Sequence, residues 1–138
     1  MAGRMREGAD SVEAREPARI LIAADEPMVS HILEHKLRTE GHRVATVRDG
    51  AAMWRVLDAG EADVLFVDCA LDSDGIALME ELSYAGQLPN AGWFAMVEQR
   101  DSESHTRAMR AGAVGLVVKP FKPGDVAAQV AALLELVA

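Results

Sequence analysis

From Ala18 onward, short runs of consecutive apolar residues alternate with segments in which apolar positions recur every three or four residues. The runs predict strands at 18–24, 43–47, 63–67, 93–97 and 114–118, and the segments between them predict helices at 27–40, 50–59, 76–85, 102–111 and 123–137. Runs such as Ile20-Leu21-Ile22-Ala23-Ala24 and Val64-Leu65-Phe66-Val67 are continuously apolar rather than alternating. A strand that is apolar on both sides must be covered on both sides, and regular βα alternation supplies the covering helices. The expected fold class is therefore α/β, a doubly wound five-stranded parallel sheet. Pro27 and Pro123 suit the first position of a helix, where the missing N–H has no intrahelical partner to lose. Gly41 and Gly60 follow helices where a left-handed cap is expected. Residues 1–17, rich in Ala, Gly, Arg and Glu, carry neither pattern. They are expected to form a mobile tail ahead of one domain over 18–138.

Composition narrows the function classes. A chain of 138 residues that is 50% hydrophobic can bury one core but not comfortably a second. Arg4, Arg6, Arg15 and Arg19 cancel Glu7, Asp10, Glu13 and Glu16, so the net charge of −8 belongs to the remainder and argues against nucleic acid as a partner. The single cysteine, Cys69, excludes an internal disulfide and suits a reducing compartment. No apolar run approaches the roughly 20 residues of a membrane span, and no signal-peptide pattern opens the chain. A cytoplasmic protein without membrane contact is expected.

The chemistry concentrates at strand ends. Asp25, Asp68 and Lys119 follow or close the first, third and fifth apolar runs. In an open parallel sheet those positions converge at the carboxyl edge, where the strand order reverses. Two carboxylates suit a hard divalent cation such as Mg²⁺, and a lysine opposite suits phosphoryl oxygens. Asp68 is the better nucleophile of the two acids, because its strand is central.

With these positions in view, residues 18–138 resemble the receiver domain of two-component response regulators, a (βα)5 flavodoxin-like fold. The resemblance is carried by Ile20 through Pro27, by Asp63 through Asp68, by Asp74-Gly75, and by Ala111-Gly112-Ala113 leading to Lys119-Pro120-Phe121. It implies that Asp68 accepts a phosphoryl group from a histidine kinase or histidine phosphotransfer protein and that Lys119 contacts that group. It further implies Mg²⁺ held by Asp25, Asp68 and the backbone carbonyl of Ala70, and a cis bond before Pro120.

The departures from that pattern are specific. The first of the two strand-one acids is Ala24, so Mg²⁺ affinity is expected to fall. The strand-four hydroxyl position holds Val97, and the aromatic switch position on strand five holds Leu116. The loop after Asp68 is one residue shorter than the common form and lacks its proline. Glu98 places an acid at the rim of the site; as a modulator it would substitute for the missing acid or pair with Lys119, and a solvated loop acid is the plainer reading. A pseudoreceiver, an interaction module whose output is independent of phosphorylation, is the alternative that Ala24, Val97 and Leu116 favour.

Other features have plainer readings. His31 and His35 share a helix face without a third metal ligand, Cys69 reads as a packing residue, and Trp54, Trp93 and Phe94 read as core. The last helix has one stripe, Val126, Val130, Leu133 and Val137, expected to pack on the sheet. A second face of Ala127, Ala128, Ala131 and Ala132, flanked by Leu134 and Leu136, is a candidate homodimer or partner surface. An enzyme is not expected. A phosphatase of the haloacid-dehalogenase type needs a second Asp where Ala70 stands, and a flavin- or nucleotide-binding fold needs glycines after strand one.

Overall fold

The computed structural model describes residues 17–137, so the expected tail lies outside the described residues except for Pro17. Ten elements alternate along the chain: β1 (Arg19–Ala23), α1 (Pro27–Thr39), β2 (Arg43–Val47), α2 (Gly50–Asp58), β3 (Val64–Asp68), α3 (Gly75–Ala85), β4 (Gly92–Glu98), α4 (Ser102–Arg110), β5 (Gly115–Lys119) and α5 (Pro123–Val137). Each boundary falls within two residues of the sequence expectation. The shifts at β3 and β5 matter, because they make Asp68 and Lys119 the last residues of their strands rather than loop residues.

The strands form one sheet in the order β2-β1-β3-β4-β5, and every pairing is parallel. The order reverses between β1 and β3. Successive residues of each strand point to opposite faces, and two cores result. Ile20, Ile22, Phe66, Phe94 and Met96 pack with Leu33 and Leu37 of α1 and Val126, Val130 and Leu133 of α5. Leu21, Ala23, Leu65, Val67, Trp93, Ala95 and Val97 pack with Met53, Leu57, Ile76, Met79, Leu82 and Ala108 from α2, α3 and α4. Phe66 and Phe94 stack with ring centroids 5.0 Å apart, and a Cβ on Gly115 would come within 3.0 Å of the Phe94 ring. The glycine leaves the space that the aromatic pair fills.

Two expectations are corrected. β2 is not covered like the central strands: Arg43, Ala45 and Thr46 are exposed, because the strand forms the sheet edge. On α5, Ala127 is buried in the core, since it lies one turn from Val130 and flanks the packed stripe, whereas Val137 is 55% exposed beyond the last turn that reaches the sheet. The outer face of α5 is thus Ala128, Ala131, Ala132 and Leu136.

The amino edge of the sheet is tied by ion pairing. Asp63 accepts from the Arg19 backbone N–H at 2.8 Å, from the Arg19 guanidinium at 3.2 and 3.3 Å, and from Asn90 Nδ2 at 2.9 Å. Arg19, grouped with the tail charges in the sequence, belongs to β1 and serves this clamp between β1 and β3. The Arg19 hydrogen bond, partly opposed by burial, holds the Asp63 carboxyl down at about 2. A carboxyl lowered in the folded state contributes stability that is present above its ordinary value near 4 and is lost as the pH falls through about 2. Asp63→Asn should therefore destabilise the domain by about 1 kcal/mol at neutral pH, and less below pH 3. Urea titrations at pH 7 and pH 2.5 check this; equal losses at both would refute the clamp.

Candidate functional site

Asp68 closes the central strand and is only 3% exposed. Its Oδ1 accepts from the Ala70 backbone N–H at 2.9 Å, and its Oδ2 accepts from Lys119 Nζ at 2.7 Å. Lys119 sits two strands away at the end of β5 and reaches back past the end of β4. There its register partner is Glu98, whose Oε2 lies 3.3 Å from Nζ. A third carboxylate comes from Glu26, at the N-cap of α1, which accepts from Nζ through Oε1 at 3.0 Å. Burial alone would lower the affinity of this ammonium for its proton. The hydrogen bonds and charges of Asp68 and Glu26 outweigh it and raise Lys119 above the ordinary lysine value.

Asp25 lies just past β1 and is set differently. Its side chain is 56% exposed, and its Oδ1 is 3.3 Å from the guanidinium of Arg48, which follows β2. Exposed pairs of this kind contribute less than about 1 kcal/mol, so Asp25 remains open to a competing cation. Ala70 is exposed in the turn directly after Asp68. The structure therefore supplies two carboxylates and a turn carbonyl at one edge. Among the described residues no cluster of three or more His, Cys, Asp and Glu side chains is placed to hold a metal ion. Such a donor set fits Mg²⁺, which is held by one or two carboxylates and keeps several waters, better than a metal needing a full protein cage. Ala24, where a second acid was missed in the sequence, is 1% exposed and packs in the core.

The other candidates fall as follows. Val97 is 1% exposed, and Leu116 packs against the same core from β5. Neither can hydrogen-bond to a group on Asp68. Glu98 is 68% exposed yet paired, so it is more than the solvated loop acid expected. The Lys119–Pro120 bond is cis. Burial, reinforced by the charge of Asp68, pushes the Cys69 thiol up to about 12, which keeps it from the thiolate form at neutral pH. His31 and His35 are both exposed on α1.

The loop after Asp68 is held from α3. Asp74 caps that helix by accepting from the Ile76 and Ala77 N–H groups, each at 3.1 Å, and pairs with Arg107 of α4 at 3.0 Å. Gly75 then runs against the backbone of Asp68: a Cβ there would lie 2.4 Å from the Asp68 carbonyl oxygen. The glycine of the Asp74-Gly75 segment is thus required by close approach, not by a turn.

Sequence reasoning did not single out Glu26 or Arg48. Glu26 directly follows Asp25, and its reach to Lys119 needed the depth of α1 at the edge. Arg48 was available from strand order alone, since the residue after β2 must lie beside the residue after β1.

With the fold and geometry described, the comparisons agree. The family model for the response regulator receiver domain matches residues 20–131, and the chain belongs to that family. Response regulator GtcR of Aneurinibacillus migulanus is 29% identical over 116 residues, which are 83% of this chain and 47% of that protein. DNA-binding response regulator MtrA of Mycolicibacterium smegmatis is 28% identical over 117 residues, covering 84% of this chain and 50% of that protein. The chain thus spans about half the length of these curated relatives. The receiver domain of the TMAO respiratory system response regulator TorR superposes with a TM-score of 0.80 at 24% identity, covering 88% of this chain and 100% of that one. Chemotaxis response regulator CheY4 of Vibrio cholerae has the same fold, with a TM-score of 0.77 at 20% identity over 86% of this chain and 99% of that one. Among the described residues no helix is long and apolar enough to cross a membrane.

Two outcomes follow from this geometry. Gly75→Ala must displace the Asp68 carbonyl and should destabilise the domain by about 1–3 kcal/mol; a neutral effect in urea unfolding would refute the close approach. Lys119→Met leaves a buried carboxylate without its cation and should cost about 3 kcal/mol, whereas Asp68→Asn leaves Lys119 with two glutamates and should cost less. The reverse order in denaturation midpoints would show that Lys119 does not neutralise Asp68.

Proposed function

We infer that this receiver domain is a phosphoacceptor of a two-component phosphorelay, phosphorylated on Asp68 with Mg²⁺ and acting by docking to other proteins. The observation that carries this reading is the near-fully buried Asp68 carboxylate hydrogen-bonded to Lys119 at the switch point of the sheet. The donor is a histidine kinase or histidine phosphotransfer protein. An Asp68 oxygen attacks phosphorus, the P–N bond of the donor phosphohistidine breaks, and the released imidazole nitrogen takes up a proton. The Ala70 N–H holds Oδ1 in place, which orients the carboxylate. Lys119 transfers its hydrogen bond from Asp68 to a phosphoryl oxygen and so neutralises charge where it develops. Asp25, Asp68 and the Ala70 carbonyl would hold Mg²⁺, which supplies further neutralisation of the phosphoryl oxygens when bound.

A second reading is supported by Val97 and Leu116: a pseudoreceiver whose output is largely independent of phosphorylation. Both side chains belong to the core and offer no hydroxyl or aromatic ring to follow a phosphoryl group. Under either reading, the exposed Ala128, Ala131, Ala132 and Leu136 face of α5 is the proposed surface for a second copy or a partner protein.

Incubation with acetyl phosphate and Mg²⁺ should add one phosphoryl mass to the parent protein and none to Asp68→Asn. A mass gain by Asp68→Asn equal to that of the parent would remove Asp68 from the role. Amide spectra with and without beryllofluoride separate the two readings: shifts confined to the rim of the site favour the pseudoreceiver, and shifts through α4 favour a phosphorylation switch.

A further inference from the structure

Among the described residues, Lys119 is the one group at the carboxyl edge that meets three carboxylates, and only one of them belongs to Asp68. Asp68 holds Nζ at 2.7 Å, Glu26 at 3.0 Å and Glu98 at 3.3 Å. An ammonium has three N–H donors; two are given to Asp68 and Glu26 in hydrogen bonds, and Glu98 adds an ion-pair contact beside them. A phosphoryl group arriving at Asp68 brings oxygens that need the same donors. The lysine serves them fully only by weakening its hold on the acids.

We propose that Glu26 and Glu98 are internal competitors of the phosphoryl group for Lys119, and that they set how readily Asp68 is charged and how long the phosphoryl group stays.

The placement of the two acids favours competition over metal binding. Both side chains are largely exposed, at 59% and 68%, while the lysine they contact is 11% exposed. Either glutamate can swing into water at little cost, so the lysine loses a partner only when a better one arrives. A phosphoryl dianion is the better partner, because it offers several oxygens at the end of the lysine's existing reach. The two acids approach from opposite neighbours, Glu26 from the N-cap of α1 and Glu98 from the strand paired with β5. They therefore flank the path of any anion entering over Asp68. Both also add negative potential where a dianion must enter, which slows the approach in the same direction. Asp25, by contrast, is engaged by Arg48 on the far side of the acceptor. The edge is thus divided into a half that faces a cation and a half that faces an anion.

This inference rests on Asp68 being the phosphoacceptor, so its test has an arm that does not. Glu26→Gln, Glu98→Gln and the double variant are incubated with acetyl phosphate at saturating Mg²⁺, and phosphorylation and decay are followed by intact mass. Each single substitution should speed phosphorylation and slow decay by about two- to fivefold, the scale of one exposed charge pair, and the double variant by about tenfold. In the second arm inorganic phosphate is titrated against the Lys119 side-chain resonance, which requires no transfer to Asp68. Phosphate should shift that resonance at several-fold lower concentration in the double variant than in the parent.

Unchanged rates and an unchanged phosphate titration would overturn the competition. So would Glu98→Gln slowing phosphorylation while weakening Mg²⁺ binding strongly, since that is the signature of an acid serving the metal in place of Ala24. If parent and variants alike gain no phosphoryl mass, the phosphoacceptor reading fails, and the phosphate titration alone decides whether the glutamates guard the lysine.

Discussion

Burying a carboxylate at the end of the central strand of a sheet covered on both faces costs several kcal/mol unless a cation and hydrogen bonds meet it. Asp68 is in that position, and the carboxyl edge is organised around the requirement. The Ala70 amide satisfies one oxygen and Lys119 the other. Lys119 can reach because β5 runs parallel to β4 in a register that ends both strands at the same level, Glu98 beside Lys119. Gly75 permits α3 to start against the Asp68 carbonyl, so the loop carrying Ala70 is short. Removing the sheet order, the register or the glycine would leave the acid buried and unmatched.

The two ends of the sheet use ion pairs for different purposes. At the amino edge Asp63 is bound by four hydrogen bonds from Arg19 and Asn90, and the interaction joins β1 to β3. It is a closed arrangement in which every contact is between fixed partners. At the carboxyl edge the partners are unequal: one buried acid, one mostly buried lysine, and acids and an arginine that are largely in water. Exposed partners exchange easily with ions from solution, because their pairing is worth little against hydration. The same chemistry therefore gives a clamp at one end and an exchangeable site at the other, and what separates them is that Asp63 receives four hydrogen bonds whereas Glu26 receives one and Glu98 has an ion-pair contact.

Much of this was legible in the sequence, for identifiable reasons. Strand-length apolar runs such as Val64-Leu65-Phe66-Val67 cannot be mistaken for surface strands, and their alternation with helical segments leaves few topologies. Asp68 and Lys119 were found because they interrupt apolar runs at the end where parallel sheets place their sites. What the sequence did not yield depended on side-chain reach and on edges. Glu26 contacts Lys119 through a long flexible chain, whose direction follows no periodicity. β2 was expected to be covered on both faces together with the other strands of the sheet, but an edge strand has a neighbour on one side only. Ala127 and Val137 were misplaced because a helical stripe drawn at fixed spacing ignores where the helix leaves the sheet.

The arrangement also bears on how a change at Asp68 could be felt elsewhere. A modification moves a conformational equilibrium only through interactions that differ between its states. Val97 and Leu116 contribute packing to the core, and packing there is indifferent to a charge placed on Asp68. The polar connections from the site toward α4 are of another kind. Asp74, in the loop after Asp68, pairs with Arg107 of α4, and His105 of α4 donates from its ring to the Glu98 backbone carbonyl at 2.9 Å. Glu98 is thus bound to the lysine through its side chain and to α4 through its main chain. If Lys119 turns from Glu98 toward a new anion, the residue released is the one on which the start of α4 is anchored. The polar contacts between the site and α4 in this domain include an ion pair at the rim, where a hydroxyl and an aromatic ring are absent from the core.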